Sequence, residues 1–492
     1  VDVAIVGAGV SGLYLAYRIA HERPDLSVVV LEASGRLGGR LRSVCRGDGH
    51  VLECGAGFLS NAHTSAFALA RNLHCPLIET QFRCGGMYLR GRRDQRAFAL
   101  APHEENRSAA RLVLAALKQI APDDQASGPS ADVALDLERL RHVAVDGRPL
   151  WDWSIGALLR RALSDEAFAL ARATHGSTAA FGDANALDAL VTQAIESSPG
   201  QTFFQFEHGF ESLALAMADA MPDVRAALGH RVVSVRSHRG RLCVRAATAQ
   251  GSVELSAAHV FMALPQAALK RVRFGPDLAR PWCATDINAV SPVKAFKLFL
   301  EFESAWWRTE VGALERGEIA ATFTDLPLQQ IYFQGAPGTR PTIMASFADS
   351  HAVDFWSSFR ADPRQTDVVD SAPQAMVDAA MRELRRIYPF APNAVGGVFA
   401  DWARGGWHAW KTGVRSWEIA ARIQQPNSEV PLFICGEAFS QLQGWTEGAL
   451  NNAEAVLERA LGLCRPPWLG VDVPFNMKGN ENEDLRFLGS SR

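Results

Sequence analysis

Three glycines and one acid near the start of the chain have the spacing of a dinucleotide cradle. Gly7, Gly9 and Gly12 stand in the run G-A-G-V-S-G, directly after the apolar stretch Val1–Val6. In a G-x-G-x-x-G run the first glycine permits the tight turn and the second lets a pyrophosphate approach the backbone. The third lets a helix sit close on its strand. Glu32 follows 20 residues after Gly12. A carboxylate there accepts from a ribose hydroxyl and repels a 2′-phosphate, which disfavours NADP. These residues alone leave NAD and FAD open.

Positioning them requires a buried parallel strand over Val1–Val6, a helix over Ser11–Glu22 and a second strand over Ser27–Leu31 that ends at Glu32. The helix N-terminus then aims its free N–H groups and positive dipole end at the phosphates. Past Glu32 the chain reads A-S-G-R-L-G-G-R. Arg40 in this second cluster can bind a phosphate or lie against a flavin, and Gly38–Gly39 leave room for close backbone approach. A domain for NAD alone has no need of it.

With this E-x-x-x-R-x-G-G-R run the chain resembles the flavin-dependent amine oxidase family, and is most similar to bacterial L-amino-acid oxidases, tryptophan-oxidase-like members included. The resemblance extends to about residue 463. R-V-V-S-V (Arg231–Val235) resembles the strand that sets a valine, here Val232, beside the adenine. H-V-F-M-A-L-P (His259–Pro265) resembles the strand that returns to the edge of the flavin domain. G-E-A-F-S-Q-L-Q-G-W-T-E-G-A-L (Gly436–Leu450) resembles the C-terminal signature. There the resemblance assigns Glu437 to the ribityl chain. It places the start of the last helix, Thr446–Ala449, at the flavin N1/O2 edge, where a helix N-terminus stabilises the charge of reduced flavin. It also puts Ala33, Gly39, Gly57 and Gly436 in the FAD cradle. Relatives that attach FAD covalently use a cysteine after a Gly-Gly pair. Here Trp407 follows Gly405–Gly406, so attachment at that position is excluded and FAD is expected to be held noncovalently.

The same resemblance implies the chemistry. Lys297 stands ten residues before Trp307, the spacing of the family lysine that holds a water near flavin N5; Lys294 is the competing candidate. Trp445 is expected as one aromatic wall of the substrate cage, with Trp407, His408 or Trp410 opposite. Tyr332 is expected to meet a substrate carboxylate. Phe58 stands where amino-acid oxidases carry a carboxylate-clamping arginine. A planar bidentate cation is thus replaced by an apolar ring. The implied activity is oxidation of an L-amino acid or an amino-acid-derived primary amine. Hydride passes to flavin N5, the imine is hydrolysed, and O2 becomes H2O2. The alternatives are a biosynthetic flavoenzyme on the same scaffold, acting as an amine or amide oxidase of a larger intermediate, a desaturase or a monooxygenase, and a flavin-binding protein without turnover.

The bulk properties agree with a soluble enzyme. The chain has 492 residues, 48% apolar and 21% charged, with net charge −3, values that give no electrostatic case for nucleic acid or an anionic membrane. The basic run at Arg90–Arg96 reads as a solvated loop. No apolar run is long enough to span a bilayer. The eight cysteines show neither C-x-x-C nor zinc spacing, so no metal is expected and the thiols read as reduced. A start at Val1 rather than Met is compatible with removal of a leader. It leaves the compartment open, with the cytoplasm slightly favoured. Oligomeric state is likewise open, a homodimer included.

The expected fold is α/β, with a Rossmann-like FAD domain built from separated segments (1–65, 205–285 and 395–463). A mixed-sheet substrate domain (66–102 and 286–394), a helical insertion (103–204) and a C-terminal tail (464–492) complete it. Within these, R-V-V-S-V-R-S and R-L-C-V-R-A-A read as a hairpin about Arg239–Gly240. Lys294–Phe302 reads as an alternating strand. S-A-A-R-L-V-L-A-A-L-K-Q-I-A and S-I-G-A-L-L-R-R-A-L-S-D-E-A-F-A-L-A-R-A are the clearest helices, divided by the loop A-P-D-D-Q-A-S-G-P-S-A.

Overall fold

Val3–Val6 lies at the centre of a five-stranded sheet. In a computed structural model, which describes residues 1–120, 138–196, 201–279, 281–335, 338–362 and 368–470, the order is Arg225–Ala227, Val28–Leu31, Val3–Val6, His259–Met262 and Leu432–Ile434. Every pair is parallel. The strands are short and apolar because both faces are covered. Val3 and Ile5 pack under the helices Val10–Glu22 and Thr446–Leu461. Ala4 and Val6 pack on Val235, Leu242 and Val244 of a four-stranded sheet. That sheet contains the expected hairpin, turning at Arg239 (φ 50°) and Gly240 (φ 74°). His259–Met262 is an interior strand of the parallel sheet, and Leu432–Ile434 takes the edge beside it.

The second large sheet has nine strands and is mixed. At its centre Val290–Glu301 pairs antiparallel with Gly396–Trp410 on one side and Thr342–Asp349 on the other. One expectation is corrected here. Gly396–Trp410 belongs to this sheet, as do Leu59–Ser60 and Phe203–Phe206, so the segments 1–65, 205–285 and 395–463 all give residues to it. Long-range register, invisible in local pattern, decides this. The strand expected over Lys294–Phe302 is present as Val290–Glu301, and its side chains alternate between two faces that are both covered. From Ala295 to Glu301 it is largely buried, because helices His351–Ser357 and Gln374–Ile387 cover one face and Leu52, Cys54 and Tyr332 the other.

The helical segment has its own core, with helices Ala109–Ile120, Ile155–Ala162, Asp165–Thr174 and Ala186–Glu196. The stretch Ser154–Ala173 divides in two because the Ser164 hydroxyl accepts from the Ala167 N–H and starts a new helix. The loop expected at 121–131 lies outside the described residues. Of the tail, Pro467–Gly470 forms a short helix whose Trp468 ring meets Tyr14 and Tyr17, each at 6.5 Å; residues 471–492 lie outside the described residues. Arg90, Arg93 and Arg96 of the basic run pair with Glu166, Glu310 and Asp94 at the surface. Among the described residues all eight cysteines are free, no helix is long and apolar enough to cross a membrane, and no acid, histidine and cysteine cluster suits a metal.

Candidate active site

A cavity of about 820 Å³ runs from the strand ends of the parallel sheet to the face of the nine-stranded sheet. Its nucleotide end is lined by Gly7, Gly9, Glu32, Ala33, Gly39, Arg40 and Val232. Three observations fit a dinucleotide here. No side chain caps the helix that begins at Val10, so its first N–H groups are free for an anion. A Cβ on Gly9 would meet nothing within 4 Å, whereas one on Gly7 would sit 2.5 Å from the Ala263 carbonyl oxygen. Gly9 therefore faces the open cavity, and Gly7 makes a close turn at φ 101°. Gly12 is not in the lining; a Cβ there would collide with the Gly7 carbonyl, as expected of the packing glycine. Glu32 is held ready by the Ala8 and Ser34 N–H groups, both at 2.8 Å.

Farther in, Gly57, Gly436, Glu437, Thr446 and Ala449 line the cavity. The last helix also begins here without a side-chain cap. Glu447 lies in its first turn but turns away, accepting from the Ser65 and Ala66 N–H groups at 3.1 and 2.9 Å. It thereby caps the neighbouring helix Thr64–Asn72 and leaves the dipole of its own helix uncompensated at the cavity.

Glu437 is the most heavily bonded group of the site. Its Oε1 accepts from the His408 and Gly444 backbone N–H groups at 2.8 and 2.9 Å. Its Oε2 accepts from Arg40 Nη1 at 2.7 Å and lies 2.9 Å from His408 Nδ1. Burial alone would raise this carboxyl; the Arg40 guanidinium, His408 and the Gly444 amide overcome it and hold Glu437 well below the usual carboxylate range. The pairing puts the imidazole proton on Nδ1 and leaves Nε2 of His408 buried, with no hydrogen-bond partner among the described residues.

Lys297 is 5% exposed. Its Nζ donates to the carbonyls of Glu53 at 2.8 Å and Gly55 at 2.7 Å and lies 5.2 Å from the centre of the Phe347 ring. One N–H remains for the cavity. Burial pulls its pKa down, and Glu53 pulls it partly back. Lys294, by contrast, points outward to an exposed ion pair with Asp354. Phe58 lines the cavity with its ring against Phe82 and Phe203, centroids at 5.1 and 6.5 Å. Trp445 lines it with its ring 4.5 Å from that of His63, which burial holds neutral at a pKa of about 3. Trp407, His408 and Trp410 all reach the lining. Trp410 is spoken for by the Ser440 carbonyl at 2.9 Å, while Trp407 is half-buried over Gly444.

Tyr332 is the exception among the substrate-face expectations. It is buried behind the wall, outside the lining, and its hydroxyl donates to Gln330 at 2.5 Å. On its strand the ring falls among Phe82 and Phe347, so its hydroxyl does not reach a substrate in this arrangement.

Several lining residues carried no signal that sequence reasoning used: Phe347, Trp402, Arg404 and Asp188. Asp188, on the helix Ala186–Glu196, is raised to about pH 7 by burial, which Ser416 and Arg141 offset only in part. The signal for Arg404 was adjacent: it directly precedes the Gly405–Gly406 pair.

Comparison with known proteins agrees with this geometry. Residues 10–458 match the family model described as "Flavin containing amine oxidoreductase". Aplysianin-A of Aplysia kurodai is 25% identical, with 95% of this chain and 91% of that protein covered. Achacin of Lissachatina fulica is 23% identical, with 93% of each covered. The solved structure of putrescine oxidase bound to putrescine shares the fold at a TM-score of 0.68 and 20% identity, covering 94% of this chain and 99% of that one. The family match spans nearly all of the chain and both walls of the cavity, and the protein belongs to the flavin-containing amine oxidoreductases, as an FAD enzyme with an α/β fold.

Proposed function

We propose that this protein is an oxidase of an L-amino acid or an amino-acid-derived primary amine, with FAD held noncovalently and H2O2 as co-product. The buried Lys297, held by two carbonyls in the cavity lining beside the Phe347 ring, carries the reading. When bound, FAD supplies a two-electron acceptor for the carbon bearing nitrogen and passes the electrons to O2. The chain's own residues do the rest. The uncapped helix at Thr446 would stabilise negative charge at the cofactor's pyrimidine edge, and the group Arg40–Glu437–His408 would help to orient it. Trp445, Trp407 and Phe58 exclude water and position a neutral amine. The free N–H of Lys297 holds a water for imine hydrolysis, and its charge favours oxygen reduction. The name of putrescine oxidase, a neighbour in fold, supports amines as the substrate class. Anaerobic mixing of the holoenzyme with free amino acids, their amides and simple amines tests this. Bleaching of the flavin band by at least one, followed by peroxide on admitting air, is expected; no bleaching by any amine sinks the reading.

A further inference from the structure

Phe58 removes the arginine on which a substrate carboxylate could rest, and the rings of Phe82 and Phe203 around it offer no replacement. A cation stands elsewhere on the wall. Arg404 lines the cavity and is half-buried. Among the described residues its guanidinium makes no hydrogen bond, ion pair or ring contact. The other lining arginines differ. Arg36 and Arg40 are bound to Glu211 and Glu437, and Arg231 and Arg271 are exposed at the nucleotide end. A guanidinium withdrawn from water without a counter-charge is costly unless a ligand supplies one.

The backbone presents Arg404 deliberately. Val293 pairs with Trp407 and Ala295 with Trp402, so the four residues 403–406 bulge out opposite Lys294 alone. Gly405 turns the bulge at φ 133°, and a Cβ on Gly406 would lie 2.5 Å from that of Ala295. The bulge thus carries Arg404 between Trp402 and Trp407 of the same strand, all three in the cavity lining. The strand the bulge faces runs on from Ala295 to Lys297, two residues and about 7 Å farther along. The phosphate end of the cavity is built from other elements, the first helix and Arg36–Arg40.

The geometry points to Arg404 as the residue that binds the anionic group of the substrate, a carboxylate gripped by the guanidinium fork. This rests on the amine-oxidase reading and narrows it to amines that carry a carboxylate. It also relocates the clamp from the position of Phe58 to the bulge.

The test uses the oxidised holoenzyme as wild type, Arg404→Leu and Arg404→Lys. A series of amine-free acids from acetate to 3-phenylpropionate is titrated against the matching amides, with flavin absorbance as the readout. FAD per chain is measured on the same samples, and turnover is followed on free amino acids and their amides. Wild type is expected to prefer acids. Arg404→Leu is expected to lose about 10- to 100-fold for acids, with amides and FAD content unchanged, and Arg404→Lys is expected to fall between. No acid preference in wild type overturns the assignment. So does an equal loss on acids and amides in Arg404→Leu, or a fall in FAD content, which makes Arg404 a cofactor ligand. If no amine reduces the flavin yet the acid preference vanishes with Arg404→Leu, the oxidase reading falls and the anion site stands.

Discussion

Glu437→Gln strikes the point where three distant segments meet. The carboxylate receives four donors, two on each oxygen: the His408 and Gly444 N–H groups, the Arg40 guanidinium and the His408 ring. An amide has one acceptor oxygen and brings two donors of its own. Whichever way it is turned, its NH2 faces two donors, at 2.7 and 2.9 Å on one side or 2.8 and 2.9 Å on the other. Removing one partner of a buried ion pair costs about 3–5 kcal/mol. The Arg40 side chain is 29% exposed, which screens its share and puts the expected loss near about 3 kcal/mol. The pH dependence has a definite sign. The folded carboxyl titrates below its ordinary value of 4.5, so its stabilisation is complete above that pH and is lost as pH falls through the folded value. The gap between wild type and variant is therefore constant from pH 8 to 6 and narrows below about pH 4.5. Urea unfolding of the holoprotein at fixed FAD, followed by far-ultraviolet circular dichroism and converted with the wild-type slope, measures it. A variant within about 0.5 kcal/mol of wild type at pH 8 would refute the reasoning, since surface pairs reach no more than that order. A gap that persists unchanged below pH 4 would refute it as well.

Two glycine variants should separate packing from cofactor contact. Gly9→Ala, which meets nothing in the protein, is expected to keep the fold and weaken FAD binding, read by flavin fluorescence on dialysis. Gly12→Ala, which collides with Gly7, is expected to lower the melting temperature of the apoprotein as well. Lys297→Met is expected to slow reoxidation of reduced flavin about 100-fold while leaving anaerobic reduction within a few-fold; equal loss in both half-reactions by stopped flow contradicts the assigned role. Because burial lowers this amine, wild-type reoxidation should decline on the alkaline side below the ordinary lysine range, and the variant should not. Asp188 titrates near pH 7 rather than near 4, a cost of about 4 kcal/mol once it is charged. Asp188→Asn is therefore expected to stabilise the protein by up to that amount at pH 8 and not at pH 4, and a gain in melting temperature that ignores pH counts against it.

The nucleotide end was legible because its geometry is local. A turn, a helix N-terminus and an acid within the first 32 residues fix one another through bond geometry and the 1.5 Å helical rise, so spacing alone carries the cradle at Gly7, Gly9 and Glu32. The start of the last helix at Thr446 and the choice of Lys297 came from the family resemblance, with Lys294 left open until the fold turned it outward to Asp354. The substrate face was not legible. Whether Tyr332 turns its hydroxyl to Gln330 or to the cavity depends on how its strand pairs with Thr342–Asp349. Whether Arg404 reaches the cavity depends on a bulge that exists only because Val290–Glu301 pairs with Gly396–Trp410 across about a hundred residues of sequence. Nor could spacing show that Glu437 is met by Arg40 and His408 from segments 397 and 29 residues away. Local spacing determines what a short stretch can hold. The register between distant strands, set by burial on both faces of a nine-stranded sheet, determines which side chains face the same ligand.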